Sequence, residues 1–383
     1  MYLHFVITSI RLTHINFIDK IYLKGNKHMK KICITEMKQH VLDAILCNEI
    51  PFLRGSPGIA KSALFAGVAK ELNLQFIDFR LSMCDQTSLN GFPLIENSRS
   101  GWAPPIEFPL NTDPLPEGKD GWLISFEEIN SAPMSIQAIA YKILHDRMIG
   151  NFKLHDKVYM VANGNLDTDG AVVMPLSSAL ASRMVQFECY VNPKKWLNWA
   201  NEDGRFNQML LDYLDYRPEM VHNFNPKSSD PAFPCPRTHE KASKYLTLCE
   251  NQSRDGYNSV RPSIEGVLGE SCAQDLYSFL NYFDLVIPVE ELIKNPMQKP
   301  PSDIGIRYAT LINCANKLDD NVENVIKVVS HFQQSSSTVE NGYGIEFPAM
   351  LLKRLIRKHS KLIRTRDESF GKLLKQYKIY LTD

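Results

Sequence analysis

The chain has 383 residues, of which 44% are hydrophobic and 22% charged, so it is long enough for two or three globular domains. Its 43 basic and 43 acidic residues give a formal net charge of zero, which argues against a partner recognised by overall charge, such as nucleic acid or a membrane surface. The 8 cysteines show no C-x-x-C spacing. They therefore predict neither a zinc site nor a disulfide framework, and a reducing cytoplasm is the simplest compartment.

The first 28 residues carry no recognisable targeting signal. They alternate apolar and polar residues and lack a basic start, a clean apolar block and a small-residue cleavage site. No apolar run in the chain approaches the ~20 residues of a bilayer span. We expect residues 1–28 to be a disordered extension without an assigned function.

A phosphate-binding loop is the first motif with chemical meaning. A predicted helix at 33–48 leads into the apolar run 50–53, and a small-residue loop then opens a second predicted helix at 63–72. Backbone N–H groups in such a loop can point at phosphate oxygens, a lysine can contact the β- and γ-phosphates, and a serine hydroxyl can ligate Mg²⁺. Alanine stands where the usual pattern has the glycine before the lysine. The predicted loop consists of Gly55, Ser56, Pro57, Gly58, Ile59, Ala60, Lys61 and Ser62.

Two further predicted strands end in polar residues. After a strand at 75–80 and an irregular, Gly- and Pro-rich insertion at 84–115 that contains Trp102, the apolar run 121–126 ends at Glu127 and Glu128. A helix at 135–147 separates it from the strand 158–162, which ends at Asn163 and Asn165. Continuous apolar strands that alternate with helices predict an α/β fold with a parallel sheet, whose carboxyl edge binds ligands. The alternative interpretation of the two acids is a solvated helix start.

Helical patterns dominate after Pro193. We predict four segments: the extension 1–28, an α/β nucleotide-binding core at 29–192, a helical lid at 193–295 and a C-terminal helical region at 296–383. Residues 333–337 are predicted to be a loop between two of the last helices.

Five segments occur in an order and spacing that resemble the AAA+ ATPases. They are residues 55–62, 126–133, 161–165, 180–184 and 236–238. The chain most resembles the MoxR-like branch, whose phosphate loop commonly has alanine before the lysine, and the resemblance runs from about residue 35 to the C-terminus. It implies a P-loop sheet with helices on both faces, followed by an all-α lid and a C-terminal helical region, with ATP and Mg²⁺ as ligands.

The resemblance also implies roles in the core. Glu127 stands where the family usually has a Mg²⁺-associated aspartate, so Ser62 and Glu127 are the predicted metal residues. Glu128 would orient and polarise the attacking water. Asn165 matches the sensor-1 position, and Asn163 is the alternative.

Two arginines match catalytic positions of the family. Arg183 corresponds to the arginine finger, which acts on the nucleotide of a neighbouring subunit and so implies a ring, usually a hexamer. Arg237 corresponds to the sensor-2 arginine of the lid. Without the motif context, a surface ion pair would be the simpler interpretation of Arg183. Arg147 faces either a subunit interface or solvent.

Other candidates carry less information. His222 and His239 lack partners with ligand spacing. A run of basic residues near the C-terminus is either a solvated face or a site for nucleic acid or an acidic partner. The run consists of Lys353, Arg354, Arg357, Lys358, Lys361, Arg364 and Arg366.

The predicted function is ATP hydrolysis that drives chaperone-like remodelling of a partner protein. The MoxR-like resemblance implies that the partner often carries a von Willebrand factor A domain. Two alternatives remain open: a P-loop kinase, and an ATP-binding regulatory module with little turnover, which the glutamate at 127 favours. A DNA-directed ring is a third, against which the neutral charge counts.

Overall fold

The computed structural model describes residues 30–96, 98–170, 174–228, 230–252, 256–333, 346–364 and 367–381. The predicted extension at 1–28 and most of the predicted loop at 333–337 lie outside these residues. The chain divides into two compact units, with the division between Tyr190 and Val191. The boundaries predicted from the sequence at 192/193 and 295/296 stay predictions.

The first unit is built on a six-stranded sheet in which every neighbouring pair is parallel, in the order β1-β10-β2-β9-β6-β3. The strands β2, β6 and β9 are buried nearly throughout, which explains their continuous apolar sequences. The six strands are β1 Lys31–Cys33, β2 Pro51–Arg54, β3 Gln75–Arg80, β6 Trp122–Glu127, β9 Val158–Gly164 and β10 Val185–Tyr190.

Helices cover both faces of this sheet. Ile124 and Phe126 of β6 lie in one core cluster with Ile136 and Ala140 of a helix, whereas Leu123, which points to the other face, is equally buried. The predicted α/β sheet with helices on both faces is thereby confirmed. The helices of this unit are α1 Met37–Leu46, α2 Lys61–Glu71, α3 Gln86–Asn90, α4 Met134–Asp146 and α5 Ser178–Ala181.

Two sequence predictions of local structure were wrong. The helix expected from residue 33 begins at Met37, because residues 31–33 pair with β10 as an edge strand. The insertion 84–115, expected to be irregular, contains α3 and the antiparallel hairpin of β4 Phe92–Glu96 and β5 Arg99–Ala103. Pro93 and Gly101 lie inside these two strands, and both residue types argue against a strand. A second small hairpin pairs β7 Met148–Ile149 with β8 Phe152–Lys153.

The described residues of the second unit form helices and no strands, as predicted for the region after Pro193. One hydrophobic core cluster runs through it from Trp196 to Tyr377. No helix among the described residues combines the length and the apolar character that a membrane span requires. The helices are α6 Pro193–Asp203, α7 Gln208–Tyr216, α8 Pro236–Asn251, α9 Arg261–Leu268, α10 Glu270–Asn281, α11 Val289–Lys294, α12 Ile304–Lys317, α13 Val322–Gln333, α14 Glu346–Lys358, α15 Glu368–Gln376 and α16 Lys378–Leu381.

Candidate functional site

The carboxyl ends of three adjacent strands bring most of the predicted site residues together. Residues 55–60 follow β2, Glu127 ends β6, and Asn163 lies near the end of β9, which pairs with both β2 and β6. Because all three strands are parallel, these segments share one edge of the sheet. The predicted phosphate loop and the two acids are therefore neighbours in space.

The loop from residue 55 to residue 60 has one strained residue, Ala60, directly before α2. Gly58 and Ala60 both have left-handed backbones, with φ of 76° and 77°. Ala60 is the N-cap of α2, and its side chain provides no cap hydrogen bond. An alanine in this conformation costs about 1–2 kcal/mol, so the alanine that replaces the usual glycine keeps the glycine conformation at an energetic cost.

Close packing also restricts Gly55. A Cβ atom at this position would lie 2.7 Å from Ile59 Cδ1 and 2.8 Å from the carbonyl oxygen of Cys189. Burial raises the pKa of the Cys189 thiol to about 12, so this cysteine stays protonated and is not a nucleophile at neutral pH.

Lys61 lies at the first position of α2 and is only 7% exposed. Its ammonium group donates to the carbonyl oxygens of Gly55 at 2.6 Å and Ser56 at 3.0 Å. The charge therefore lies on the inner side of the loop, where the sequence motif predicts phosphate oxygens.

Glu127 is buried, with 5% of its surface exposed, and both of its carboxylate oxygens accept hydrogen bonds. Ser62 Oγ donates to Oε2 at 2.5 Å, and Asn163 Nδ2 donates to the same oxygen. Ser125 Oγ donates to Oε1 at 2.6 Å. Ser125 lies two residues before Glu127 on the same face of β6, and Asn163 lies opposite Glu127 on β9. The network fixes the direction of a buried carboxylate.

The Ser62 hydroxyl and the Glu127 carboxylate suit a magnesium ion. Both supply hard oxygen atoms. Ser62 Oγ directs its proton to Glu127 and accepts a long hydrogen bond from Asn163 Nδ2 at 3.4 Å, which leaves one lone pair for a cation. No group of three or more His, Cys, Asp or Glu side chains with metal-binding geometry occurs in the described part of the chain. A cation held there by one carboxylate and one hydroxyl would take its other ligands from water and phosphate, as Mg²⁺ commonly does.

Glu128 has a left-handed backbone, with φ of 56°, and its side chain is exposed. Its backbone N–H donates to Asn163 Oδ1 at 3.1 Å, and its carboxylate accepts from Ser82 Oγ at 2.7 Å. Ser82 follows β3, the strand beside β6, so a fourth strand contributes to the same edge. Burial, followed by the nearby charge of Glu127, raises the pKa of Asp78 on β3.

The two candidate sensor residues differ in what their side chains contact. Asn163 is 2% exposed, and its amide bonds to Glu127 and to the backbone of Glu128. The side chain of Asn165 is half-buried and forms no hydrogen bond with the described residues. Its backbone is held instead by Asn130, whose amide accepts from Asn165 N–H at 3.1 Å and donates to Asn165 O at 2.8 Å.

Arg183 lies at the amino ends of the strands, whereas the phosphate loop lies at their carboxyl ends. It precedes β10, and the N–H of Val185 donates to the carbonyl oxygen of Ile50, which precedes β2. Its guanidinium Nε donates to His145 Nδ1 at 3.0 Å, and the side chain lines a cleft of about 190 Å³. Arg147 lines the same cleft, and its guanidinium donates to the carbonyl oxygen of Val158 at 2.6 Å, so it is bonded within the unit.

Arg237 belongs to the second unit, where it is exposed in the first turn of α8. Its guanidinium forms no hydrogen bond or ion pair with the described residues. A cation in the first turn of a helix meets the positive end of the helix dipole, which is mildly unfavourable without an anion nearby.

The basic run near the C-terminus is partly used within the second unit. Arg354 bonds to Asp212 at 2.5 Å and to Asp215 at 2.6 Å. Lys358 donates to carbonyl oxygens at the end of α12, among them that of Ala315 at 3.3 Å, and Arg357 donates to Asn198 at 3.2 Å. These three residues are therefore bonded within the unit, and the two interpretations of the run as a whole stay predictions.

The sequence did not assign roles to Ser82, Ser125 or Asn130. Ser125 could have been found, because a polar residue inside the apolar strand 122–126 shares a face with Glu127 through the two-residue period. Ser82 and Asn130 act through loop geometry, for which the sequence contains no comparable signal.

No protein-family description matches the chain, and no curated protein matches it. Solved structures similar to the chain include the Thermotoga maritima RuvB Holliday junction branch migration motor, at 14% sequence identity and a TM-score of 0.35, over 73% of this chain and 82% of that one. Another is NtrX from Brucella abortus in complex with ADP, at 14% identity and a TM-score of 0.37, over 90% of this chain and 70% of that one. Similarity at this level establishes no activity for the chain.

Proposed function

We propose that this chain is a Mg²⁺-dependent ATPase of the AAA+ type. The observation that carries the proposal is the bond between the Ser62 hydroxyl and the buried Glu127 carboxylate, formed at the start of the helix that follows the loop. That contact joins the two segments that bind nucleotide and metal in P-loop enzymes. The sequence resemblance to MoxR-like AAA+ ATPases supports the same assignment.

Nucleotide binding would use the loop and Lys61. The backbone N–H groups of residues 55–60 and the N-terminus of α2 provide donors and a positive field for phosphate. Lys61 now donates to two loop carbonyls, and it would exchange at least one of these for a β- or γ-phosphate oxygen.

Ser62 and Glu127 would hold Mg²⁺, directly or through its water shell. The metal supplies charge neutralisation on the phosphate oxygens. Ser125 and Asn163 keep the carboxylate of Glu127 directed at Ser62, so the metal residues are arranged in advance.

Hydrolysis would use Glu128, with Asn165 as the sensor-1 residue. The exposed Glu128 carboxylate is bonded to Ser82, and release from that serine would free it to orient and deprotonate a water molecule. The side-chain amide of Asn165 forms no hydrogen bond with the described residues and can bond the water or the γ-phosphate, whereas the amide of Asn163 is bonded to Glu127 and to the backbone of Glu128.

Arg183 and Arg237 extend the proposal to an assembly. Arg183 would act as an arginine finger on a neighbouring subunit, in a ring that the family resemblance suggests is a hexamer. Arg237 would contact the nucleotide as the sensor-2 residue. The finer function, chaperone-like remodelling of a partner such as a von Willebrand factor A domain protein, rests on the family resemblance alone. The proposed cytoplasmic location rests on the cysteine pattern.

The test is phosphate release from ATP and Mg²⁺ without any acceptor, measured over a range of protein concentrations. We expect turnover per chain to rise with concentration as subunits associate, and Glu128→Gln to bind ATP but lose at least about 100-fold in turnover. Glu270→Gln, an exposed acid in the second unit, is the matched control and should behave as wild type. Equal rates of phosphate release from Glu128→Gln and wild type would contradict the proposed role of Glu128 in ATP hydrolysis. A requirement for an acceptor would favour the kinase, and ATP binding without turnover would favour the regulatory module.

A further inference from the structure

We infer that Asn130 is a positioning residue that sets the sensor amide of Asn165 at a fixed place relative to Glu128. The inference rests on the proposed function. Asn130 is 3% exposed, and both ends of its side-chain amide bond to the backbone of Asn165, one as acceptor and one as donor. A single side chain thus pairs with residue 165 as a neighbouring strand would.

A second asparagine makes the reciprocal contact. Asn163, on the strand that ends one residue before Asn165, accepts the backbone N–H of Glu128 through its Oδ1. Each of the two segments, 128–130 and 163–165, therefore places one asparagine side chain on the backbone of the other. We call these two contacts the asparagine clasp. It holds Glu128 in its left-handed conformation and fixes where the chain leaves β9.

Gly164 shows how closely the clasp is packed. A Cβ atom at this position would overlap the side-chain amide of Asn130. Any residue larger than glycine would push Asn130 away from Asn165, which gives a second, independent way to open the clasp without changing either asparagine.

The consequence for catalysis is geometric. Glu128 and Asn165 would both contact the attacking water or the γ-phosphate, and a displacement of about 1 Å in such a pair can cost on the order of 100-fold in rate. Substrate binding depends on the loop at 55–62 instead. Opening the clasp should therefore lower kcat and leave nucleotide affinity nearly unchanged.

The experiment compares Asn130→Asp with wild type. Aspartate keeps the shape and the acceptor but replaces the donor, so a carboxylate oxygen faces the carbonyl of Asn165. We expect a 10- to 100-fold lower kcat, an affinity for fluorescent ATP within threefold of wild type, and faster hydrogen exchange at the Asn165 amide. Asn201→Asp makes the same chemical change at an amide that donates to the carbonyl oxygen of Leu197 in the second unit, and it should change none of these values.

A double variant separates positioning from general damage. If Asn130 acts through Asn165, then Asn130→Asp should cost less than threefold in a background that already carries Asn165→Ala. If the losses in kcat from Asn130→Asp and Asn165→Ala multiply in the double variant, the two residues act independently and the inference is wrong. It is also wrong if Asn130→Asp speeds hydrogen exchange at the Asn165 amide but leaves kcat unchanged. If that variant does not fold, Gly164→Ala receives the same measurements.

Two further outcomes are distinguishable. Wild-type protein in which the Asn165 amide exchanges as fast as an unprotected loop would refute the clasp without any variant. Wild-type protein that releases no phosphate contradicts the proposed function instead, and the exchange measurement then decides the clasp by itself.

Discussion

Replacing Glu127 by the aspartate that is usual in AAA+ ATPases should weaken the metal site. In this chain the longer side chain reaches three donors, on Ser62, Ser125 and Asn163. Aspartate is one methylene shorter, which withdraws the carboxylate by roughly 1.5 Å, so contacts of 2.5 and 2.6 Å cannot all persist.

The magnitude follows from the lost contacts. Loss of a hydrogen bond that orients a metal-binding side chain typically lowers metal affinity about 10- to 100-fold, so the loss of one implies about 2 kcal/mol in the binding of Mg²⁺ with nucleotide. That energy corresponds to an increase of roughly 30-fold in the Mg²⁺ concentration at half-maximal ATPase activity. The assay is a Mg²⁺ titration of phosphate release at saturating ATP, with fluorescent-ATP binding measured over the same range.

Glu127→Gln is a second test of the metal site, because it keeps the length of the side chain and removes its charge. We expect both variants to need more Mg²⁺, while nucleotide binding in the absence of the metal stays near the wild-type value. An aspartate variant that needs no more Mg²⁺ than wild type would refute the reasoning, since the reach of Glu127 would then be irrelevant.

Three further predictions concern strain, pH and a buried ion pair. Ala60→Gly removes the left-handed alanine and should raise the free energy of unfolding by about 1 kcal/mol in urea titrations, whereas an unchanged value would contradict the strain at φ 77°. Burial lowers the pKa of His239 from 6.5 to about 4, because protonation would place a charge at a buried Nδ1 that has no acceptor among the described residues. Between pH 4 and pH 6.5 the unfolded chain therefore binds more protons than the folded chain. The free energy of unfolding should be about 2 kcal/mol lower at pH 5 than at pH 7.5. His239→Gln keeps a donor to the carbonyl of Met220 and should remove that part of the pH dependence. Arg354→Met leaves the buried carboxylate of Asp212 without its cation and should lower the free energy of unfolding by about 3 kcal/mol, and a loss below 1 kcal/mol would contradict this.

The strands that form the site were predictable because their sequences obey one simple rule. Strands buried on both faces must be apolar throughout, so 50–53, 121–126 and 158–162 stood out, and parallel pairing then places their polar ends at one edge. The sequence also predicted that the phosphate loop, Glu127 and Glu128 lie close together. The proximity of Ser62 and Glu127 agrees with that prediction, whereas their catalytic roles stay predictions.

The choice between Asn163 and Asn165 was not accessible from the sequence. The two residues are separated by one position, so an extended strand would direct both to the same face. However, β9 ends at Gly164, and Asn130 holds the chain beyond it. The orientation of Asn165 therefore depends on a contact 35 residues away in the chain, which local pattern does not encode.

The position of Arg183 makes a second subunit necessary for its proposed role. Arg183 lies beside Ile50, and the loop begins at Gly55, so roughly 16 Å of extended chain separates it from the phosphate loop of its own subunit. That distance exceeds the reach of an arginine side chain, which is about 7 Å from Cα. Mixing Arg183→Ala with Glu128→Gln should therefore restore activity, because about a quarter of randomly formed head-to-tail interfaces would pair an intact Glu128 with an intact Arg183. Each variant alone should be nearly inactive. If the subunits exchange but the 1:1 mixture stays as inactive as the separate variants, Arg183 does not complete the active site of a neighbouring subunit.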